Sequence, residues 1–581
     1  MAFQLSPGVN VTEKDLTTIV PTVATTAAGM AGLFEWGPVG LPVIISSVQE
    51  LGTLFGMPRD GNAEWWFTAY NYLGYGNNLK VVRHVADGAK NASMGNKTAA
   101  LIRTVDTASD EGVATVSANG SFLARYPGEL GNSLWVDICG SELTGSAGVS
   151  GSTFGSWAWK DLFAGRPTNS AYSDRLGIQE NDAFHMVVVD YDGKFTGSPL
   201  TVLEKYENIS LRPGAINSDG TPLYYKTKIN DESRYIVAVG SPTTTEITNF
   251  TSGMTAWGNH SATWTNGNGY QSGGGYYARM SGGTGQFSGL DEIVGGMSGG
   301  YQVFQDPDTI DVNLLLGGPL TGNNAQKVCD LAKARKDCVA FVSTPNKNPA
   351  ESSTTKINRC AELRTAIGNN NYAFIDSGYK YMYDPFNDTY RYIPLNGDVA
   401  GLCARSDITN DPWYSPAGFN RGQVRNTIKL AFNPTKTERD NIYSFAVNPV
   451  VTFSGEGTVL YGDKTAQTRP SAFDRINVRR LFIVLEKAIA TAAKYSLFEF
   501  NDAFTRSQFK ALVEPFLRDV QARRGIVDFK VVCDEKNNTP QVVDSNQFVA
   551  DIYVKPNRSI NFIQLNFVAT KTGVSFEEVG A

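Results

Sequence analysis

The sequence predicts a multidomain chain of mixed α/β and α+β class: an α/β core built from N- and C-terminal parts, β-rich insertions in the middle, and extended arms at both ends. Three observations predict it. Apolar strand-like runs alternate with helical patterns at 43–86 and again from 311, the order of strand–helix–strand units and so of parallel strands. Between these stretches, short β-like runs sit among Gly, Ser, Asn and Thr clusters. Both ends alternate apolar and polar residues with too little chain nearby to build a sheet of their own. The 581 residues suit about three to five domains, and a chain of this size buries roughly three quarters of its unfolded surface.

The first element is an arm, residues 1–20. Pro7-Gly8 breaks the chain, and Val9 and Val11 alternate with Asn10 and Thr12. A first core part, 21–90, follows. It holds a short strand at Val43–Ile45 and a helix opened by Ser46-Ser47 with Gln49 and Glu50 at capping-box spacing. Gly56 and Pro58 stop that helix; a second, AEWWFTAYNYL, ends at Gly74 or Gly76 and leads to a strand over Leu79–Ala86. The stretches 91–200 and 201–306 read as inserted β-domains, the second Gly-rich, of the kind surface loops tolerate.

The α/β pattern resumes in a second core part, 307–460. DVNLLLGG is a buried strand, Asn323–Lys336 a helix, CVAFVSTP the next strand, and ESSTTKINRCAELRTAIG a helix closed by Gly368; YAFIDS and YKYMYD add strands. The C-terminal domain, 461–558, is the most regular. Ile476, Leu481, Phe482, Leu485, Ala488, Ile489 and Ala492 recur at helical spacing. Thr505 and Gln508 predict a capping box opening a helix over 505–524, closed by Gly525. IVDFKVVCD and FVADIYVK read as strands joined by the turn KNNTP. A second arm, 559–581, alternates Ile563, Leu565 and Phe567 with Gln564 and Asn566.

Composition and motifs exclude more than they assign. Net charge is −6 with hydrophobic residues at 41%, which disfavours a general nucleic-acid-binding surface. The six cysteines are scattered without a CxxC pair, so they read as reduced, mostly buried thiols and not as a disulfide scaffold or zinc site. MAFQLSPGVNVTEKD lacks the basic and apolar regions of a signal peptide, and no run reaches 18 apolar residues; a soluble, reducing compartment is expected. Gly296-Met-Ser298-Gly-Gly300 matches the nucleophile elbow, but His84, His185 and His260 all precede it, which breaks the chain order of that triad. No P-loop or HExxH occurs, and Ser288 stands where GxGxxG needs its last glycine. We therefore assign no catalytic, metal or cofactor residues, expect no enzyme, and read each histidine as structural.

Two basic clusters stand out. Arg475, Arg479 and Arg480 read as a solvated or intramolecularly paired helix face. Lys510 and Arg518 lie eight residues apart on a shared helix face, with Arg523 and Arg524 beyond, a solvated or docking surface.

SPGVNVTEKD, GLFEWGPVGLPVIISSVQELGTLFG, YGNNLKVVRHV, ARYPGELGNSLWVDI, DRINVRRLFIVLEKAI and FVADIYVKPNRSINFIQLNF together resemble the tail sheath protein family of contractile bacteriophages (myoviruses). The resemblance covers most of the N-terminal quarter and the C-terminal fifth, and leaves 145–305 without a counterpart. It implies a structural virion protein that assembles in the host cytoplasm as stacked, helically arranged hexameric rings around a tail tube, with baseplate and tail terminator proteins as further partners. It implies no cofactor, no nucleic acid and no membrane insertion. Contraction would drive the tube through the host envelope. Terminal arms would link subunits, which places Val9, Val11, Phe562, Ile563, Leu565, Phe567 and Val568 in linking strands. Lys510, Arg518, Arg523 and Arg524 would face the tube. A sheath of another contractile injection machine, a receptor-binding or glycan-active tail protein, and a capsid or tube component are the alternatives.

Overall fold

The strands whose residues are apolar on both faces form the centre of the fold. A computed structural model describes residues 24–86, 88–94, 122–140, 154, 157–177, 182–239, 276–285, 290–295, 300–561 and 564. These form two compact units: Thr25–Ile408 with Pro416–Thr468, and Thr409–Ser415 with the chain from Arg469.

In the larger unit, a six-stranded sheet has the order Ala373–Asp376, Val339–Ser343, Leu314–Leu316, Ala28–Gly32, Leu79–Arg83, Pro42–Ile45. The first five are parallel and Pro42–Ile45 is an antiparallel edge. Ala28 pairs with Leu79 on one side and Leu314 on the other. The sheet is thus shared by the N-terminal quarter and the chain beyond 311, and everything between enters as an insertion. Near-continuous apolar strands (AGMAG, LLL, VAFVS) fit a parallel sheet covered on both faces. Gly29 is needed for packing: a Cβ there would lie 2.9 Å from the Phe304 ring.

Local signals place most elements. Val48–Phe55 is a helix whose N-cap, Ser47, accepts from the Glu50 amide, while the Glu50 carboxylate accepts from Ser46 N and Oγ, both at 2.8 Å. The capping pattern is real but split over two serines. Gly56 at φ 79° ends it. Helices Gly322–Arg335 and Ser353–Ile367 cross between parallel strands, the second closed by Gly368 at φ 67°. The strand expected over Leu79–Ala86 stops at Arg83. There the guanidinium, fully buried, binds the carbonyls of Phe34 (2.8 Å), Gly37 (2.9 Å), Glu35 (2.9 Å) and Pro127 (2.5 Å). It pins the root of the insertion to the core, and burial pulls its pKa down to about 9.

Among its described residues the insertion forms one seven-stranded antiparallel sheet that draws strands from both 91–200 and 201–306; Ala183–Asp190 and Thr201–Ser210 pair across position 200. Ala183–Asp190 is buried along its whole length because both faces are covered. Phe184, Met186 and Val188 join one core cluster, and Val187 and Val189 join another with Trp135, Trp157 and Phe163. His185 Nδ1 accepts from Asn208 N at 3.1 Å, so Nε2 carries the proton toward Gly165 O at 2.8 Å, and the ring stacks on Phe163. His84 is also buried; His260 and Ser298 lie outside the described residues. All six cysteines are buried and none is joined in a disulfide, and among the described residues no helix is long and apolar enough to cross a membrane.

A polar network closes the C-terminal end of the parallel sheet. Ser343 Oγ lies 3.0 Å from Asn396 N, 2.9 Å from Asn396 Nδ2 and 2.8 Å from Asp376 Oδ2. Burial pushes the Asp376 carboxyl up to about 8, from an ordinary value near 3.9. Between those values the folded chain holds a proton that the unfolded chain has released. Stability therefore falls as pH rises through that window and levels off above it. Calorimetry from pH 5.5 to 8.5 is expected to show this decline in the native chain and a flatter profile in Asp376→Asn. Equal slopes would contradict the assignment.

Candidate assembly surface of the C-terminal unit

The smaller unit is built from helical stripes. In the helix Ala503–Ala522, Phe509, Val513, Leu517 and Val520 recur every three or four residues and are buried with Leu481 and Leu485 of the helix Ile476–Ala493. Ala488 and Ala492 let the helices approach, packing against Leu512 and Phe516. Ile526–Val532 and Asp551–Pro556 pair antiparallel as a two-stranded sheet, and their inward Phe529, Val531, Ile552 and Val554 complete the core. Trp413, from the separate segment Thr409–Ser415, enters the same core and donates from Nε1 to Arg523 O at 3.1 Å.

The helix boundaries correct the sequence reading. The N-cap is Asp502, whose carboxylate accepts from the Thr505 amide at 2.8 Å. Thr505 itself lies inside the first turn. Asp and Thr are both good caps, so local chemistry left two starts open, and the chain uses the one at Asp502. At the other end Arg524, not Gly525, takes the left-handed conformation, φ 65°. Gly525 is required for contact: a Cβ would meet Val520 Cγ1 at 2.6 Å and Trp413 Cδ2 at 3.1 Å. The joint between the strands is longer than the turn KNNTP and includes a helix, Pro540–Asp544.

The predicted basic residues separate into two groups. Lys510 and Arg518 are exposed on one helix face, each 3.7 Å from Glu514 between them. The stripe thus carries one net positive charge where the two basic residues alone suggested two. Arg523 is held by Asp411 (3.1 Å) and Asp519 (3.3 Å) and lies 5.0 Å over the Trp413 ring. Arg524 contributes its carbonyl to Asn557 Nδ2 at 2.8 Å. The other cluster is not solvated: Arg479 and Arg480 are buried, and Arg479 pairs with Glu486 at 3.0 Å and sits over Phe473. Val9, Val11, Phe562, Ile563, Leu565, Phe567 and Val568 lie outside the described residues.

Two features escaped sequence reasoning. One is the recruitment of Trp413 over a long sequence gap, which has no local signal. The other is a run of bulky apolar side chains, Tyr495 to Phe504, that leads into the first turn of the helix Ala503–Ala522 and stays exposed. Its composition was visible, but aromatic residues ordinarily go inward, and only the fold shows that these do not.

Residues 321–466 match the phage tail sheath protein central domain, and residues 468–570 the phage tail sheath C-terminal domain. The chain is 33% identical to the tail sheath protein of Vibrio phage KVP40, covering 99% of each chain. It is 32% identical to that of Enterobacteria phage T4, again covering 99% of each. In fold it is similar to a sheath tail protein of Desulfitobacterium hafniense, with a TM-score of 0.51, 12% identity, and coverage of 95% of this chain and 100% of that one. A sheath tail protein of Listeria innocua gives a TM-score of 0.50 at 12% identity, covering 92% and 96%. With full-length relatives above 30% identity and both sheath domains in sequence, the chain belongs to the tail sheath protein family of contractile phages.

Proposed function

We propose that the chain polymerises as stacked, helically arranged hexameric rings around a tail tube, and that contraction of this wall drives the tube through the host envelope. The role is structural and not enzymatic, assembly takes place in the host cytoplasm, and the baseplate and tail terminator meet the two ends of the wall. Subunits are linked by their arms: the strands around Val9 and Val11 and around Phe562–Val568 add to a sheet in a neighbour.

The observation that carries this reading is the incomplete sheet of the C-terminal unit. Two strands about 4.8 Å apart cannot cover a layer of two helices packed at about 8–10 Å. Among the described residues neither outer edge is joined by a further strand. Such edges are templates for added strands. Arms of about 15 extended residues reach roughly 50 Å, enough to cross to another subunit. Contacts that are head-to-tail and do not close give helices, and flexible linkers let rigid units rotate without detaching. No nucleotide site is needed, since the work comes from energy stored at assembly.

The tube-facing surface is the helix face of Lys510 and Arg518, which meets an acidic tube surface. Charge reversal, Lys510→Glu with Arg518→Glu, is expected to weaken co-assembly with purified tubes, and more so at low than at high salt, because exposed charges are screened beyond about 10 Å at 0.1 M. The added like charges around Glu514 cost the helix only a few tenths of a kcal/mol each, so the thermal midpoint should hold. Electron microscopy reads the outcome; sheathed tubes of normal yield at low salt would remove this assignment.

A further inference from the structure

From the end of the helix Ile476–Ala493 into the first turn of the helix Ala503–Ala522, Tyr495, Leu497, Phe498, Phe500 and Phe504 are 62% to 105% exposed. At roughly 150–250 Å² per aromatic side chain, this crest offers on the order of 700 Å² of apolar surface. The largest apolar patch on a typical monomer is about 300–600 Å², and one side of a standard interface is about 800 Å². The crest alone is therefore near the size that a stable contact needs. Phe498 also holds φ 70°, a left-handed conformation unfavourable for a bulky residue and open to glycine. An aromatic at that position serves neither the local backbone nor the core.

Charge indicates what covers it. Exposed Glu499 stands between Phe498 and Phe500, with Asp502 beyond. An acidic tube surface, of the kind that Lys510 and Arg518 call for, would repel both carboxylates. The chain itself presents the complementary chemistry, aromatic faces carrying a cation. Exposed Lys429 lies 4.8 Å over the Tyr381 ring, beside exposed Tyr383 and Tyr390. Arg439 lies 5.3 Å from the Phe453 ring and 5.6 Å from that of exposed Tyr461.

We propose that the crest Tyr495–Phe504 docks onto a second copy of this chain, as an apolar anchor separate from the strand-exchanging arms. The inference rests on the assembly reading above. Buried aromatic anchors dominate interface energetics, and the remainder of a contact chiefly excludes water around them.

The test uses the full chain carrying Phe498→Gly and Phe500→Ser, polymerised without tube. The thermal midpoint should not fall, because both side chains are exposed and glycine suits the left-handed backbone at 498, and the critical concentration for polymer formation should rise at least ~10-fold. An unchanged critical concentration overturns the inference. Should the variant fail to fold, a photoreactive phenylalanine at position 500 of the otherwise native chain answers the same question. Cross-links to another copy, formed only in the polymer, support it; cross-links solely to tube protein, or solely within one chain, overturn it. A native chain that never polymerises sinks the assembly reading and this inference together, whereas native polymers with an unaffected variant sink this inference alone.

Discussion

A chain lacking residues 1–15 is expected to fold, remain soluble and form no sheath. The deletion removes Val9 and Val11 and none of the described residues, which begin at Ala24. Loss of polymer with an unchanged thermal midpoint would separate linking from folding. The size of the effect follows from the energetics of an added strand. About six backbone hydrogen bonds at roughly 0.5–1.5 kcal/mol net each, with buried valines at about 1.5–3 kcal/mol apiece, give several kcal/mol per link before the cost of ordering the arm is subtracted. In a polymer every subunit repeats the link, so a modest loss per subunit becomes loss of the whole wall. Negative-stain images of the purified truncated chain decide the matter: striated tubes of ordinary length would refute the arm-exchange reading. Separate truncation after Asn561 tests the second arm by the same readout.

Lys380→Met is expected to destabilise the larger unit by about 3–5 kcal/mol, the usual consequence of stranding one member of a buried ion pair. Lys380 Nζ donates to Asp398 Oδ1 at 2.8 Å and to Arg425 O at 2.9 Å, and both charged side chains are almost fully buried. The Tyr75 hydroxyl donates to the same carboxylate at 3.1 Å and accepts from Arg425 N at 2.7 Å. Burial lowers the Lys380 pKa and raises that of Asp398, and each opposes the other's shift. Among the described residues Asp398 Oδ2 has no hydrogen-bond partner, so the lysine is the carboxylate's main compensation. The network ties the strand Tyr379–Asp384, the helix Asn396–Thr409 and the end of the helix Ala63–Leu73 together at one point. Adding Asp398→Asn should recover most of the loss, since the buried charge is then gone while the Tyr75 bond survives. Denaturant unfolding of both variants measures the coupling. A loss below about 1 kcal/mol in the single variant would mean that the site rehydrates or that Asp398 takes up a proton at little cost.

The helix of Lys510 and Arg518 shows how far local pattern reaches. Its apolar stripe, its two basic residues and its end near Gly525 are legible because a helix repeats every 3.6 residues and caps use few residue types. Its N-cap was displaced by three, from Thr505 to Asp502, since the two are chemically comparable caps. Glu514 was visible in the sequence, yet its halving of the basic stripe depends on side-chain geometry. The exposed Tyr495–Phe504 run went unread for the opposite reason. Hydrophobic residues carry no mark of whether the core has room for them.

The sequence by itself determined the class of the fold, the resumption of one α/β pattern after a long insertion, the ends of the longest periodic helices to within a few residues, and, through its motif blocks, the family; it did not mark the helices Tyr225–Glu232, Asn396–Thr409, Lys436–Ser444 and Pro540–Asp544. Those properties are set by contacts a few residues apart or by long matched stretches. Only the tertiary structure decided that Ala28–Gly32 sits between Leu79–Arg83 and Leu314–Leu316, that the two insertion segments share one sheet, that Trp413 serves a core built from residues beyond 480, and that Lys380 and Asp398 are buried as a pair. Pairing across hundreds of residues leaves no periodic trace in the chain. It is selected by which apolar faces can be covered together and which charges can be compensated once they are.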